Sequence, residues 1–137
     1  MGASWGSRPF LFSAMANQQH DYFQEGIELF NAGRFFECHE AWEQVWNRSR
    51  GEEKLAIQGL IQAAVALLHL ERGNREGAES LYAKARAKLD PLGDDFRGIA
   101  IGDLRDSLRR FFDAALGGHA KMLPDRPKLK CRTARKS

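Results

Sequence analysis

The chain of 137 residues is long enough for one domain with a modest hydrophobic core and too short for two separate enzymes. Hydrophobic residues make up 43% and charged residues 28%, proportions that are typical of a globular protein and exclude a wholly disordered chain. The formal net charge of +3 is uneven: residues 121–137 hold seven basic residues and one acid, or +6, which leaves −3 for residues 1–120.

Residues 1–18 are predicted to form a flexible N-terminal extension. Arg8 precedes the apolar stretch "PFLFSAMA", which is too short for the hydrophobic region of a secretory signal. The two cysteines, Cys38 and Cys131, are far apart and lack CxxC or Cys/His spacing, so the sequence favours neither a zinc finger nor a disulfide framework. Both features predict a cytoplasmic protein.

Five helices are predicted in chain order within a helical domain of residues 19–118. Apolar periodicity and helix breakers place them at about 21–31, 35–47, 52–72, 75–89 and from about 103 onward. Gly33 and Gly73 are natural helix ends, and Asn74 and Asp103 are candidate N-caps. No stretch alternates apolar and polar residues as a strand does. The predicted fold is therefore all-α, a compact bundle of about five helices.

The third predicted helix contains the stretch "LAIQGLIQAAVALLHL", residues 55–70, which has no Asp, Glu, Lys or Arg. This stretch is shorter than the roughly 20 apolar residues that cross a bilayer, and it includes two glutamines and a histidine. We therefore expect a helix buried in the bundle and no membrane span.

An internal similarity indicates that the bundle is built from helical hairpins. The stretches "FNAGRFFECHEAWEQVW" (30–46) and "LERGNREGAESLYAKAR" (70–86) both place a glycine after one helix, then a small and an aromatic residue in the next. The second stretch resembles a tetratricopeptide-type hairpin, including Pro91 after the helix. Two imperfect copies are too few for a solenoid, so the fold is predicted to be only distantly tetratricopeptide-like.

Polar side chains interrupt the apolar faces of the second and third helices. At about 100° per residue, His39 and Glu43 fall within an aromatic stripe, and Gln58, Gln62 and His69 share one strip of the next helix. If these strips face each other, they form a buried polar pocket. Its predicted residues are His39, Glu40, Glu43, Trp46, Gln58, Gln62 and His69. Because burying an unpaired polar group costs several kcal/mol, these groups must satisfy one another, a ligand or a metal.

Two interpretations of this pocket stay open. In the first, a hydrogen-bonded polar network fixes the register of the helices. In the second, His39, Glu43 and His69 bind a divalent metal such as Zn, Fe or Mn, and Glu40 acts as a general base in a hydrolase. Against the second, "HEAWE" lacks the second histidine of HExxH, and the Glu-x-x-His pair of di-iron bundles is absent.

Residues 119–137 are predicted to form a basic, disordered tail. A basic tail can contact nucleic acid weakly and without sequence preference. Because residues 119–137 contain no aromatic residue to stack on bases, a solvated chain end is the favoured interpretation.

The ordered pair of stretches "FNAGRFFECHEAWEQVW" and "IQGLIQAAVALLHLERGNREGA" resembles domain-of-unknown-function family 309, over about residues 23–92. The resemblance implies a small all-α bundle without an assigned activity. Trp42 stands where the family more often has an aliphatic residue. The family's signature positions match His39, Glu40, Glu43, Trp46, Gln58, Gly59, Gln62, His69, Gly73, Asn74, Gly77 and Ala78.

Two classes of function follow from the sequence. The favoured one is a noncatalytic binding or interaction module for an unknown protein or small-molecule partner, because no complete catalytic motif is present and helical hairpins are common interaction scaffolds. The alternative is the metal-dependent enzyme, so the sequence leaves enzymatic activity open.

Overall fold

The computed structural model describes residues 20–117 and 123–131, so the predicted N-terminal extension lies outside the described residues. Within this part of the chain the fold is all-α, as predicted, with a 3₁₀ turn at Asp90–Leu92. The five helices are α1 (Tyr22–Asn31), α2 (Phe35–Asn47), α3 (Gly51–Glu71), α4 (Arg75–Leu89) and α5 (Ile101–Leu116).

Short turns connect the first four helices, and each of these helices packs against the next. Gly33 and Gly73 have φ angles of +80° and +79°, the left-handed conformation that lets the chain reverse after α1 and after α3. Asn74 caps α4 as predicted, because its side chain accepts a hydrogen bond from the Gly77 N–H at 2.9 Å. These turns place α3 between α2 and α4.

The core between α1 and α2 is built around Trp42. Its side chain is fully buried, and its ring stacks on Phe30 with centroids 5.9 Å apart. The indole Nε1 donates to the Phe23 carbonyl at 3.1 Å, so the buried polar atom is satisfied. Cys38 is also fully buried, and burial raises the pKa of its thiol. Cys38 is therefore core filler, as expected, and is a poor nucleophile.

α5 closes the other side of the bundle. The ring of Phe112 stacks on Tyr82 of α4, with centroids 4.3 Å apart and planes 9° from parallel. Arg75 donates from its guanidinium to the Ala115 and Leu116 carbonyls at 3.0 and 2.7 Å, which satisfies the last turn of α5. These contacts tie the start of α4 to the end of α5.

A small antiparallel hairpin precedes α5, and the sequence analysis did not predict it. Its strands are β1 (Asp95–Phe96) and β2 (Ile99–Ala100). The chain passes directly from β2 into α5, whose N-cap is Ala100 and whose first turn contains Asp103. Asp103 is therefore not the N-cap that the sequence suggested, because α5 begins two residues earlier.

The C-terminal segment, residues 123–131, packs against the helical body. The side chain of Asn31 donates to the Leu129 carbonyl at 3.1 Å and accepts from the Leu129 N–H at 2.7 Å. The Ala100 N–H donates to the Lys130 carbonyl at 2.8 Å, and Ile99 forms a β-bridge with Cys131. The sequence analysis assigned this segment to a solvated tail and missed these contacts.

Candidate functional site

His39 and Glu43 form a pair on the outer side of α2. The His39 Nε2 atom lies 3.2 Å from the Glu43 carboxylate, because side chains four residues apart meet on a helix. The His39 side chain is 28% exposed and the Glu43 side chain 51% exposed, so this carboxylate lies at the surface and not in the interior. The exposed ring of Phe36 lies 6.1 Å from the His39 ring, between centroids.

Trp46 joins the end of α2 to the start of α3. The Lys54 ammonium nitrogen lies 4.1 Å from the centre of the Trp46 ring, within range of a cation–π interaction. The Trp46 Nε1 atom is buried and has no hydrogen-bond partner among the described residues. Leaving such a donor unpaired costs about 1–3 kcal/mol, so Trp46 is a position where an added acceptor would stabilise the protein.

α3 presents one outward strip between its two neighbours. Lys54 contacts Trp46 of α2, while the Gly59 backbone lies so close to α4 that a Cβ there would come 2.9 Å from the Lys88 Cβ. The uncharged, partly exposed positions that follow Lys54 on its side of α3, as far as Leu68, form what we call the α3 strip. The α3 strip consists of Leu55, Gln58, Ile61, Gln62, Val65 and Leu68, of which Leu55 is exposed and the others are half-buried.

The α3 strip also contains an unpaired acceptor. The Gln62 Oε1 atom is buried without a hydrogen-bond partner in the part of the chain that the structure describes. With the unpaired Nε1 of Trp46, the outer face of α2 and α3 has one buried donor and one buried acceptor that the described contacts leave unsatisfied.

His69 lies in the last turn of α3, one residue past the α3 strip, and its side chain reaches the turn between α3 and α4. Its Nδ1 atom is 3.3 Å from the Asn74 Nδ2 atom, and its carbonyl accepts from the Asn74 N–H at 2.8 Å. His69 follows Gln62 by two helical turns, which is about 10 Å along the helix axis. His69 is therefore part of the turn that caps α4.

The predicted metal ligands are not assembled into one site. Within residues 20–117 and 123–131, no three His, Cys, Asp or Glu side chains are grouped so that they could hold a metal ion. His39 and Glu43 are paired, whereas His69 contacts Asn74 at the α3–α4 turn. Glu40 is exposed on the side of α2 next to the pair. The structure thus brings together two of the three predicted ligands, His39 and Glu43, and places His69 near the other end of α3.

Sequence reasoning placed Val65 beside the predicted polar positions but did not single out the other apolar side chains around them. Phe36, Leu55, Ile61 and Val65 lie three or four residues from those positions along the same helix faces. That spacing was visible in the sequence. Their exposure was not, because an apolar helix face looks the same in sequence whether it is covered or open.

No helix in the described part of the chain has the combination of length and hydropathy needed to cross a membrane.

Comparisons with known proteins agree with the resemblance that the sequence indicated. An uncharacterized protein of Aquifex aeolicus (strain VF5) is 30% identical over 115 residues, which is 83% of this chain and 33% of that protein. The uncharacterized protein YpuF of Bacillus subtilis (strain 168) is 40% identical over 65 residues, 47% of this chain and 37% of that protein. The aligned part of this chain thus spans only about a third of each of these curated relatives.

The family model described as "Domain of unknown function (DUF309)" matches residues 23–81, which include α1, α2, α3 and the first half of α4. The matched region contains every residue of the predicted polar pocket and the whole α3 strip. The resemblance to family 309 that the sequence indicated is therefore confirmed over residues 23–81.

Proposed function

We propose that this domain is a noncatalytic binding module whose α3 strip, together with the facing side chains of α2, receives an amphipathic helix of another protein. The observation that supports this most is the composition of the α3 strip: after Lys54, which lies on the same face, six positions carry no charge, and four of them are apolar side chains left partly uncovered. The water-facing side of a helix is normally polar and charged. An uncharged, partly apolar strip is typical of a surface that a partner covers.

The dimensions of the α3 strip fit one helix. Its first and last residues, Leu55 and Leu68, are about 20 Å apart along the axis at 1.5 Å per residue. A partner helix of three to four turns has this length, and it would lay its apolar face along the strip. The half-buried side chains of Ile61 and Val65 lie in the middle, where contacts contribute most to affinity.

Charge narrows the chemistry of the partner. Glu40 and Glu43 are exposed carboxylates of α2, the helix that packs beside α3. A partner helix with basic residues along its α2 side is electrostatically complementary to them.

The comparisons are consistent with a module. In each relative, the matched region is about a third of the chain, so this kind of domain occurs joined to further sequence. Without a cluster of metal-binding side chains in the described residues, the geometry favours binding over the hydrolase that the sequence left open.

Site-specific photo-cross-linking in the native cells tests the proposal. A benzophenone amino acid in place of Leu55 is expected to capture one partner, with the cross-link mapped by mass spectrometry to an amphipathic helix that has basic residues on one flank. The matched control carries the same amino acid at Ala83, an exposed position on α4. Both positions are exposed, so neither replacement should disturb folding.

Three outcomes contradict the proposal. The first is a yield at position 55 no higher than at position 83. The second is capture of a second copy of this chain alone, which would make the strip a self-association surface. The third is a cross-link to an extended or acidic segment, which would show that the partner is not the basic amphipathic helix that we propose.

A further inference from the structure

The C-terminal segment has an alternating pattern that the helical body imposes on it. Pro127 and Leu129 are buried, whereas Arg126, Lys128 and Lys130 are exposed. Successive side chains of an extended chain point to opposite sides, so one side packs against the body and the other faces solvent. All three solvent-facing residues are cationic. We call Arg126, Lys128 and Lys130 the basic edge.

The basic edge is held in place at three points. Asn31 makes two hydrogen bonds to the backbone of Leu129, and the Lys130 carbonyl accepts from the Ala100 N–H. The guanidinium of Arg126 lies against the Gly33 turn, in the space that a side chain at position 33 would fill. The backbone of the basic edge is therefore held in place, with the Cα atoms of alternate residues about 6.8 Å apart in an extended chain.

A fourth cation faces the basic edge from α5. Arg110 lines a cavity of about 520 Å³ together with Arg126, Lys128 and Lys130. The same cavity contains Asp103, Asp106 and Asp125, but Asp106 is paired with Arg109 at 3.4 Å. Four cations against three carboxylates leave this side of the molecule positive. In the described part of the chain, no salt bridge neutralises the three residues of the basic edge.

We propose that the basic edge and Arg110 bind the phosphate backbone of duplex nucleic acid without sequence preference. Cations in a row are suited to a duplex, which carries about one negative charge per 1.7 Å of its axis, so each cation of the basic edge meets phosphates wherever the row lies along the duplex. The described segment contains no aromatic residue, so it lacks the stacking platform that binds single strands. This surface is built from elements other than the α3 strip, so the inference does not depend on the proposed function.

Fluorescence anisotropy of a labelled random-sequence duplex of about 20 base pairs, titrated with the full chain, tests this inference. The basic-edge variant combines Lys128→Gln and Lys130→Gln. The matched control combines Arg72→Gln and Lys84→Gln, which removes the same charge from exposed positions just after α3 and on α4. Arg126 is left unchanged because it packs against the Gly33 turn.

The basic-edge variant is expected to bind at least about tenfold more weakly at 0.1 M salt, and its plot of log affinity against log salt should be shallower by about two, since two phosphate contacts are lost. The control should change affinity less than about twofold. Equal losses in the two variants would show that only net charge matters and would overturn the inference. So would wild-type affinity in the basic-edge variant, or no binding by the wild-type chain at low salt.

A third variant separates a fixed edge from a loose basic tail. Asn31→Ala keeps every charge but removes both hydrogen bonds to Leu129, so binding must then order the segment. We expect about threefold weaker duplex binding. Unchanged affinity in Asn31→Ala would contradict a preformed edge.

Vesicles of phosphatidylglycerol and phosphatidylcholine serve as the second probe, and stronger binding to vesicles than to the duplex would assign the basic edge to a membrane surface instead.

Discussion

At the residue scale, the contact between Gly26 and Trp42 fixes how α1 meets α2. A Cβ at position 26 would overlap the buried Trp42 indole, which is also held by its bond to the Phe23 carbonyl. We expect Gly26→Ala to lower the free energy of unfolding by about 1–3 kcal/mol, as overpacking does. The direction of the change in the free energy of unfolding distinguishes this close contact from an ordinary helical position, where alanine stabilises by up to about 1 kcal/mol relative to glycine.

Urea denaturation of Gly26→Ala measures this effect. The matched background is Trp42→Phe, in which the smaller ring leaves room for the added methyl group, so most of the loss caused by Gly26→Ala should disappear. A stabilising Gly26→Ala in the wild-type background would show that the helices are not in the close contact described.

The His39–Glu43 pair should contribute little to stability. Because the Glu43 carboxylate is half exposed, its interaction with His39 is screened by water. We expect Glu43→Gln to change the free energy of unfolding by less than about 0.5 kcal/mol, measured by urea denaturation at neutral pH. A loss of about 2 kcal/mol or more would instead support the buried polar network that the sequence suggested.

At the element scale, Asn31 is the link between α1 and the C-terminal segment. Without its side chain the Leu129 N–H and C=O lose their partners, and hydrogen bonds of this kind contribute about 1 kcal/mol each. We expect Asn31→Ala to speed hydrogen–deuterium exchange at the Leu129 amide by about tenfold or more while the α3 amides stay unchanged. The exposed Asn47→Ala is the matched control. Unchanged exchange at Leu129 would contradict the described anchoring.

The helices could be predicted from sequence, and the hairpin and the C-terminal contacts could not. Helix ends are determined by the residues at those positions, so Gly73 and Asn74 identify the α3–α4 turn from the sequence alone, and the structure shows the same turn. The strands Asp95–Phe96 and Ile99–Ala100 are only two residues each, too short to show a period of two. The Asn31–Leu129 bonds join residues 98 positions apart, and no local pattern reports such a contact.

At the scale of the whole molecule, the polar positions of the candidate site could be predicted, but their exposure could not. Helical periodicity correctly grouped His39 with Glu43, whose side chains lie 3.2 Å apart, and predicted that Gln58 and Gln62 share one face of α3. The apolar run of α3 gave no sign of which side would stay open, since that depends on how α2 and α4 flank it. The contact of Gly59 with α4 and the contact of Lys54 with α2 show which way α3 is turned, and both contacts are visible only in the structure. Gln58 and Gln62, which the sequence placed in an interior pocket, therefore lie on the outward-facing α3 strip.

The whole molecule carries two separate surfaces, an uncharged strip on α3 and a basic edge next to α5. The α3 strip lies within the region that the DUF309 model matches, while the basic edge lies beyond it. We therefore expect changes in one surface to leave the function of the other intact, so that Lys128→Gln with Lys130→Gln retains the Leu55 cross-link.

The most direct test of the central claim is isothermal titration calorimetry of the purified domain with a synthetic copy of the helix that position 55 cross-links. Wild-type protein and the Ala83→Glu control should bind it equally, with one peptide per domain. Leu55→Glu places a carboxylate at one end of the apolar strip and should weaken binding at least about tenfold, because the charge would be buried against the apolar face of the partner helix. Equal affinity in all three proteins would show that the partner binds elsewhere and would contradict the assignment of the α3 strip as the binding surface.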